Sequence, residues 1–163
     1  MNAHPGARLD RRDASAAECA AMRDAIARAL TACTETGKAG IAAALLCKGR
    51  IIATGENEVH LQSDPTRHAE MVAITRAARV LGSTDLSGCV MISTLQPCEM
   101  CLAALRFAGI RRVIFAATQA RVAPKYFVFP HLRIEDFQRC NDFFAIGGIG
   151  EDCVLHLYAT GEE

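Results

Sequence analysis

Two short motifs set the strongest condition on how this chain folds, because their side chains have to meet in space. The first is His68-Ala69-Glu70 and the second is Pro97-Cys98-Glu99-Met100-Cys101. A histidine and two cysteines separated by two residues are ligands that one metal ion can bind together. Each motif also lies where a helical pattern begins. The fold therefore has to bring the starts of two helices together.

The hydrophobic pattern predicts a single α/β domain over residues 1–163. Of these residues 51% are hydrophobic, enough for one sizeable core. Periodicity and turn residues predict the elements in this order: a helix from Ser15 to about Glu35, strands at Ile41–Cys47 and Ile51–Thr54 joined as a hairpin, a helix at His68–Leu81, a strand at Cys89–Thr94, a helix at Cys98–Phe107 with Pro97 at its start, and a strand at Arg112–Ala117. This order indicates a layered sandwich with helices packed on a sheet.

The two ends of the chain carry weaker patterns. Residues 1–13 are polar and predict a loose lead-in, and Gln119–Leu132 predicts an ordered loop. The pattern favours a short helix within Ile134–Phe144 and a final strand at Cys153–Tyr158. The direction of that last strand stays open, since a long connection precedes it.

Charge and cysteine content favour an intracellular protein that acts on a small molecule. Lysine and arginine together number 18, as do aspartate and glutamate, so the formal net charge is zero. Nucleic-acid binding usually requires a basic face, so it is not favoured. There is no apolar run long enough for a membrane span and no signal peptide, so we expect a cytoplasmic location without a membrane partner.

The eight cysteines are expected to be reduced thiols rather than a disulfide framework. We expect Cys98 and Cys101 to be metal ligands and the other cysteines to be small core hydrophobes. A lone pair of cysteines at this spacing is also typical of a structural zinc site or a redox pair. The upstream His68 and Glu70 argue against both interpretations, because neither requires them.

Together the motifs predict a catalytic zinc site. His68, Cys98 and Cys101 are three ligands, and a catalytic zinc ion keeps its fourth position for water. Thiolates and imidazole suit Zn²⁺ better than Mg²⁺ or Ca²⁺. Glu70 lies close enough in sequence to act as a general acid and base on that water. Hydrolytic deamination of an amidine carbon, with release of ammonia, needs this combination.

The motifs, with Asp64-Pro65-Thr66-Arg67 before the first, resemble the cytidine deaminase-like zinc deaminases, in the branch of guanine deaminase, cytosine deaminase and tRNA adenosine deaminase. The resemblance runs from about residue 40 to residue 117. It implies a three-layer α/β/α sandwich with a mixed five-stranded sheet, usually assembled as a homodimer. It also implies one Zn²⁺ per chain.

By this resemblance, His68, Cys98 and Cys101 are the zinc ligands, Glu70 is the catalytic proton shuttle and Asn57 contacts the substrate base. The other candidate substrate-binding residues are His68, Ala69 and Phe129. Tyr126, Phe127 and Phe129 either stack on a flat base or pack the loop against the core, and His131 is a candidate contact at the edge of the base.

The resemblance implies a deaminase of a free nucleobase, nucleoside or related aminated heterocycle, with guanine or cytosine favoured. Gln96 stands where this branch usually has a glutamate, and we expect the change to be tolerated. Two alternatives stay open: a tRNA adenosine-to-inosine deaminase, and a non-catalytic scaffold stabilised by zinc. An intact Glu70 disfavours the scaffold, which has no chemical need for it.

Overall fold

The structure is a computed structural model that describes residues 14–139 and 142–161. The predicted lead-in, residues 1–13, lies outside the described residues. The helices are α1 (Ala16–Thr36), α2 (Val59–Gln62), α3 (Ala69–Leu81), α4 (Glu99–Phe107), α5 (Ile134–Phe137) and α6 (Glu151–Tyr158), and the strands are β1 (Ala42–Cys47), β2 (Arg50–Glu56), β3 (Cys89–Leu95), β4 (Arg112–Ala117) and β5 (Phe144–Ile146). None of the described helices combines the length and the apolar composition that crossing a membrane requires.

The five strands form one mixed sheet in the order β2-β1-β3-β4-β5. Strand β1 pairs antiparallel with β2 and β3, while β3 with β4 and β4 with β5 are parallel. Helices α1 and α6 cover one face around Ile92 and Ile114, and α3 and α4 cover the other around Met91 and Val113. Neighbouring strand residues thus point to opposite cores. The predicted three-layer α/β/α sandwich is confirmed.

The opening helix and hairpin form as predicted. Ser15 caps α1: its hydroxyl accepts the backbone N–H of Glu18 at 3.2 Å, and the Glu18 carboxylate accepts the backbone N–H of Ser15 at 2.8 Å. Lys48 and Gly49 join β1 to β2, and both have positive φ angles, of 51° and 74°. Two such residues in succession are typical of tight hairpin turns.

The predicted last strand, Cys153–Tyr158, is wrong, because these residues belong to helix α6. The run is short and apolar, and such a run does not distinguish a buried strand from a helix by periodicity. The buried positions are Glu151, Val154 and Tyr158, spaced by three and four residues as on one helical face. Glu151 is polar, so the hydrophobic pattern does not reveal this face.

The short helix predicted within Ile134–Phe144 is present as α5, Ile134–Phe137. The fifth strand is β5, Phe144–Ile146, which begins at the last residue of that segment and pairs in parallel with β4. Pro97 is also displaced from its predicted place, because α4 begins at Glu99 with Cys98 as its N-cap. The short helix α2 lies between the hairpin and α3, where the sequence pattern predicts no helix or strand.

Candidate active site

Helices α3 and α4 begin at the same place and bring the two motifs together. His68 is the N-cap residue of α3, and Cys98 is the N-cap residue of α4. Cys101 lies in the first turn of α4, three residues after Cys98. The N-terminal end of a helix stabilises negative charge, so this position favours thiolates.

The three side chains His68, Cys98 and Cys101 have the spacing of metal ligands. Nδ1 of His68 lies 3.5 Å from Sγ of Cys98 and 3.7 Å from Sγ of Cys101, and the two sulfurs are 3.7 Å apart. A tetrahedral zinc ion with its usual bond lengths separates such ligand atoms by roughly 3.6–3.8 Å. The donor set and its geometry are therefore compatible with one Zn²⁺.

The pKa values of the two cysteines are shifted in opposite directions. The side-chain contact with Cys101, at 3.7 Å between the two sulfurs, lowers the pKa of Cys98 to about 4. The same contact and burial raise the pKa of Cys101. The pKa of His68 is raised by its hydrogen bond to Cys98. The group therefore already carries a thiolate near neutral pH, the form that binds a metal.

Glu70 lies beside the ligand group and is only 4% exposed. Its Oε2 is 3.5 Å from the sulfur of Cys101, and its Oε1 accepts the hydroxyl hydrogen of Ser93 at 3.1 Å. Burial raises the pKa of Glu70 above the usual value for glutamate. The carboxyl group is thus held in a defined orientation beside the ligand group.

A cavity of about 450 Å³ opens beside Glu70 and the ligand group. This volume is within the range of small-molecule sites. The sequence-predicted residues Asn57, His68, Ala69, Glu70 and Phe129 all line it. Much of the remaining lining is apolar: Ile41, Val59, Pro65, Leu95, Met100 and Val128. A flat and largely apolar molecule with a few polar edge groups suits such a cavity.

Asn57 is oriented by its own backbone turn. Its Oδ1 accepts the backbone N–H of Val59 at 3.1 Å, and its backbone N–H donates to the carbonyl of Ile41 at 3.1 Å. Within the described ranges its amide N–H groups make no hydrogen bond, so they are available as donors at the cavity. An amide held in this way can select a ligand that carries an acceptor.

The structure separates the three aromatic residues of the predicted loop. Phe127 is 8% exposed and packs in the core with α1 and α6, so it is the aromatic residue that packs the loop against the core. Phe129 is 58% exposed and lines the cavity. Tyr126 also lines the cavity and packs edge-on against Tyr158 at 5.9 Å between ring centroids. His131 does not line this cavity.

Three residues at or near the cavity were not predicted from the sequence as functional. Ser93 donates a hydrogen bond to Glu70 without lining the cavity, whereas the buried side chains of Gln96 and Glu99 line it. The signal for Ser93 was a hydroxyl residue within a buried strand pattern. Gln96 and Glu99 flank Pro97-Cys98, and their closeness to this motif was the sequence signal that they lie near the site.

The non-ligand cysteines do not all behave as predicted. Cys89 is buried, as expected of a small core hydrophobe, but Cys153 is exposed on α6. The prediction for Cys153 is therefore wrong, and the reason is that it belongs to the outer face of a helix and not to a strand. The described cysteines are all free thiols.

The fold and the metal-compatible group define a zinc-binding α/β domain of the deaminase type. Residues 15–117 match the family model described as the cytidine and deoxycytidylate deaminase zinc-binding region. The match covers more than half of the chain, so the chain belongs to this family.

Two kinds of curated relative are similar to this chain. Guanine deaminase of Bacillus subtilis is 40% identical over 100 residues, which are 59% of this chain and 64% of the relative. The tRNA-specific adenosine deaminase of Aquifex aeolicus is 43% identical over 83 residues, 51% of this chain and 55% of the relative. The chain thus matches between about half and two thirds of the length of these relatives.

Two solved structures share the fold. A mutant of NE0047 in complex with 8-azaguanine superposes with a TM-score of 0.75 at 25% identity, covering 88% of this chain and 82% of that one. A structure from a study of A-to-I editing by tRNA:A34 deaminases gives a TM-score of 0.71 at 30% identity, covering 85% and 98%.

Proposed function

We propose that this protein is a zinc-dependent hydrolytic deaminase of a free nucleobase, nucleoside or related aminated heterocycle. The observation that carries the proposal is the position of Glu70. Its buried carboxyl group lies 3.5 Å from the sulfur of Cys101, a candidate ligand, and lines a cavity of the size of a small molecule. A scaffold stabilised by zinc needs the three ligands but has no use for this carboxyl group.

In this proposal His68, Cys98 and Cys101 hold one Zn²⁺, with water as the fourth ligand. The bound metal would supply a water molecule of lowered pKa. As the water oxygen bonds to the carbon that carries the amino group, Glu70 would take a proton from the water and pass it to the ring nitrogen. It would then move the remaining hydroxyl proton to the amino group, so that the carbon–nitrogen bond breaks, ammonia leaves and a carbonyl group remains. Ser93 keeps the Glu70 carboxyl group in place by its hydrogen bond at 3.1 Å.

The rest of the cavity positions the substrate. Asn57 presents amide N–H groups to an acceptor on the base, and the backbone at His68 and Ala69 lines the cavity next to the metal ligands. Phe129 offers an aromatic face to a planar ring. A guanine- or cytosine-type substrate fits these groups, and similarity to a guanine deaminase supports guanine.

A second candidate is deamination of adenosine in tRNA, which is favoured by the similarity to tRNA-specific adenosine deaminases. The formal net charge of zero supports the small-molecule substrate instead. We also propose that the protein is a homodimer in the cytoplasm. The free thiols of the described cysteines agree with a reducing compartment.

Ammonia release tests the proposed function directly. The purified protein, with its zinc content measured, is assayed on guanine, cytosine, adenine, isocytosine, their nucleosides and an anticodon stem-loop. We expect release from a free base or nucleoside. Release from the stem-loop alone would favour the tRNA activity, and no release from any compound by zinc-loaded protein would favour the scaffold.

A further inference from the structure

One wall of the cavity comes from residues 125–129, and this wall is attached to the residues on either side of Pro97-Cys98. The backbone N–H of Gln119 donates to Oε1 of Gln96 at 3.0 Å. Ten residues further on, the backbone N–H of Phe129 donates to Oε1 of Glu99 at 3.1 Å. The segment between Gln119 and Phe129 is therefore fastened to the metal-binding motif near both of its ends.

The attachment at Glu99 holds the backbone N–H of Phe129, while the Phe129 carbonyl oxygen accepts the N–H of Leu132 at 2.9 Å. The side chains of Val128 and Phe129 are 79% and 58% exposed, so apolar packing fixes them poorly. Phe127, by contrast, is buried in the core and fixes the preceding part of the segment. A hydrogen bond to a carboxylate is stronger than one to a neutral acceptor, and Glu99 is only 9% exposed.

Glu99 also links the position of the wall to that of the candidate metal ligands. It is the first residue of α4 and follows Cys98 directly. Its backbone is therefore fixed by the same helix start that presents the two candidate thiolate ligands. Any shift of the Glu99 carboxylate changes the distance between the aromatic wall and the metal site.

We propose that Glu99 is a positioning residue that holds the backbone of Phe129 and thereby fixes the aromatic wall against the bound base. The role of the wall in binding rests on the proposed function. The hydrogen bond from the Phe129 N–H to Glu99, called the latch below, does not depend on it. The competing interpretation is that Glu99 only provides a negative charge at the helix N-terminus.

Substitution of Glu99 separates these two roles. Glu99→Gln keeps a side-chain oxygen that can accept the N–H of Phe129 but removes the charge. Glu99→Ala removes both. Glu135→Ala, at an exposed glutamate of α5 outside the cavity, is the control. Each variant is examined for amide hydrogen exchange at Phe129, zinc content, 8-azaguanine affinity, and kcat and KM for the best substrate of the panel.

We expect Glu99→Ala to accelerate exchange of the Phe129 amide at least tenfold, to weaken 8-azaguanine binding about tenfold and to raise KM more than it lowers kcat, since base stacking on an aromatic ring has an effect of this order. Zinc content should stay unchanged. Glu99→Gln should remain within about threefold of the unmodified protein in every measurement, as should Glu135→Ala.

Unchanged exchange at Phe129 in Glu99→Ala would overturn the latch, and so would a Glu99→Gln variant as impaired as Glu99→Ala, which would indicate the charge instead. Lost protection with unaltered affinity and KM would overturn the role of the wall in binding. If the unmodified protein neither binds 8-azaguanine nor releases ammonia, the proposed function fails, while the exchange measurements still decide the latch.

Discussion

Glu70 is a buried carboxyl group with a polar neighbour at each of its two oxygens. It is 4% exposed, and Ser93 supports one carboxyl oxygen while the sulfur of Cys101 lies near the other. Glu70→Gln keeps the shape and removes the proton carrier. We expect ammonia release to fall by about 10²- to 10⁴-fold, with zinc content and melting temperature nearly unchanged. A variant that retains most of its rate would contradict the role of Glu70.

Removal of the metal should affect both activity and stability. His68, Cys98 and Cys101 connect the starts of α3 and α4, and a metal that binds only the folded state stabilises it. Incubation with a chelator should abolish ammonia release and lower the melting temperature, and added Zn²⁺ should restore both.

Cysteine variants provide the matched comparison for the metal site. Cys98→Ser should lower the zinc content measured by atomic absorption, because an alcohol is a much poorer zinc ligand than a thiolate. Cys153→Ser, at an exposed thiol of α6, should leave zinc content unchanged. Equal zinc content in the two variants would show that Cys98 is not a ligand.

For single residues, the sequence predicts the candidate metal ligands better than it predicts the residues that hydrogen-bond their neighbours. The spacing of His68, Cys98 and Cys101 reveals a metal group because metal geometry restricts which residues can share an ion. The contacts of Ser93 and Glu99 depend on how a strand and a loop approach the helices. Nothing local in the sequence specifies those approaches.

Among the elements, the loop after β4 combines an aromatic residue buried in the core with one that lines the cavity. Phe127→Ala should reduce the free energy of unfolding by about 3–5 kcal/mol, because Phe127 is buried in the core. Phe129→Ala should leave stability nearly unchanged and lower kcat/KM, because Phe129 is exposed at the cavity. Denaturant unfolding and steady-state kinetics of both variants test this division, and a similar stability loss in both would contradict it.

The start of α1 is tied to β4 by an ion pair that should make stability depend on pH. Arg112 donates to both carboxyl oxygens of Glu18, at 2.6 and 2.9 Å, and this interaction holds the pKa of Glu18 below its usual value. Because the pKa is lower in the folded state, the stabilisation is complete above the unfolded value of 4.5 and is lost as the pH falls through the lower folded value.

Glu18→Gln should therefore cost about 1–3 kcal/mol at neutral pH and should flatten the decline in stability below about pH 4.5. Urea unfolding at a series of pH values measures both effects. The same steep decline in the variant would mean that other carboxyl groups cause it.

Elements whose hydrophobic periodicity and end signals are all present in the sequence were predicted correctly. Helix α6, whose hydrophobic periodicity is incomplete, was not. Helix α1 has its N-cap and its apolar face in the sequence, and β4 is a continuous apolar run. Helix α6 is only eight residues long, and one of its buried positions is Glu151. That carboxylate accepts the backbone N–H and the hydroxyl hydrogen of Thr118, a tertiary contact that overrides the local pattern.

For the whole molecule, the remaining expectation is a homodimer. Large apolar side chains remain on the surface of the single chain, with Phe107 94% exposed at the end of α4 and Leu61 81% exposed in α2. Light scattering coupled to gel filtration should give twice the mass of one chain over a wide range of concentrations. A monomer mass that persists at high concentration would contradict the homodimer.

The parallel pairing of β4 with β5 has a consequence for how this architecture can change. Two neighbouring parallel strands cannot be joined by a tight turn, so about a dozen or more residues must bridge them. Here that obligatory bridge contains the wall from residue 125 to residue 129. Substitutions in residues 125–129 can therefore change the shape of the cavity within a connection that the topology requires in any case. The starts of α3 and α4, which carry the candidate metal ligands, need not change.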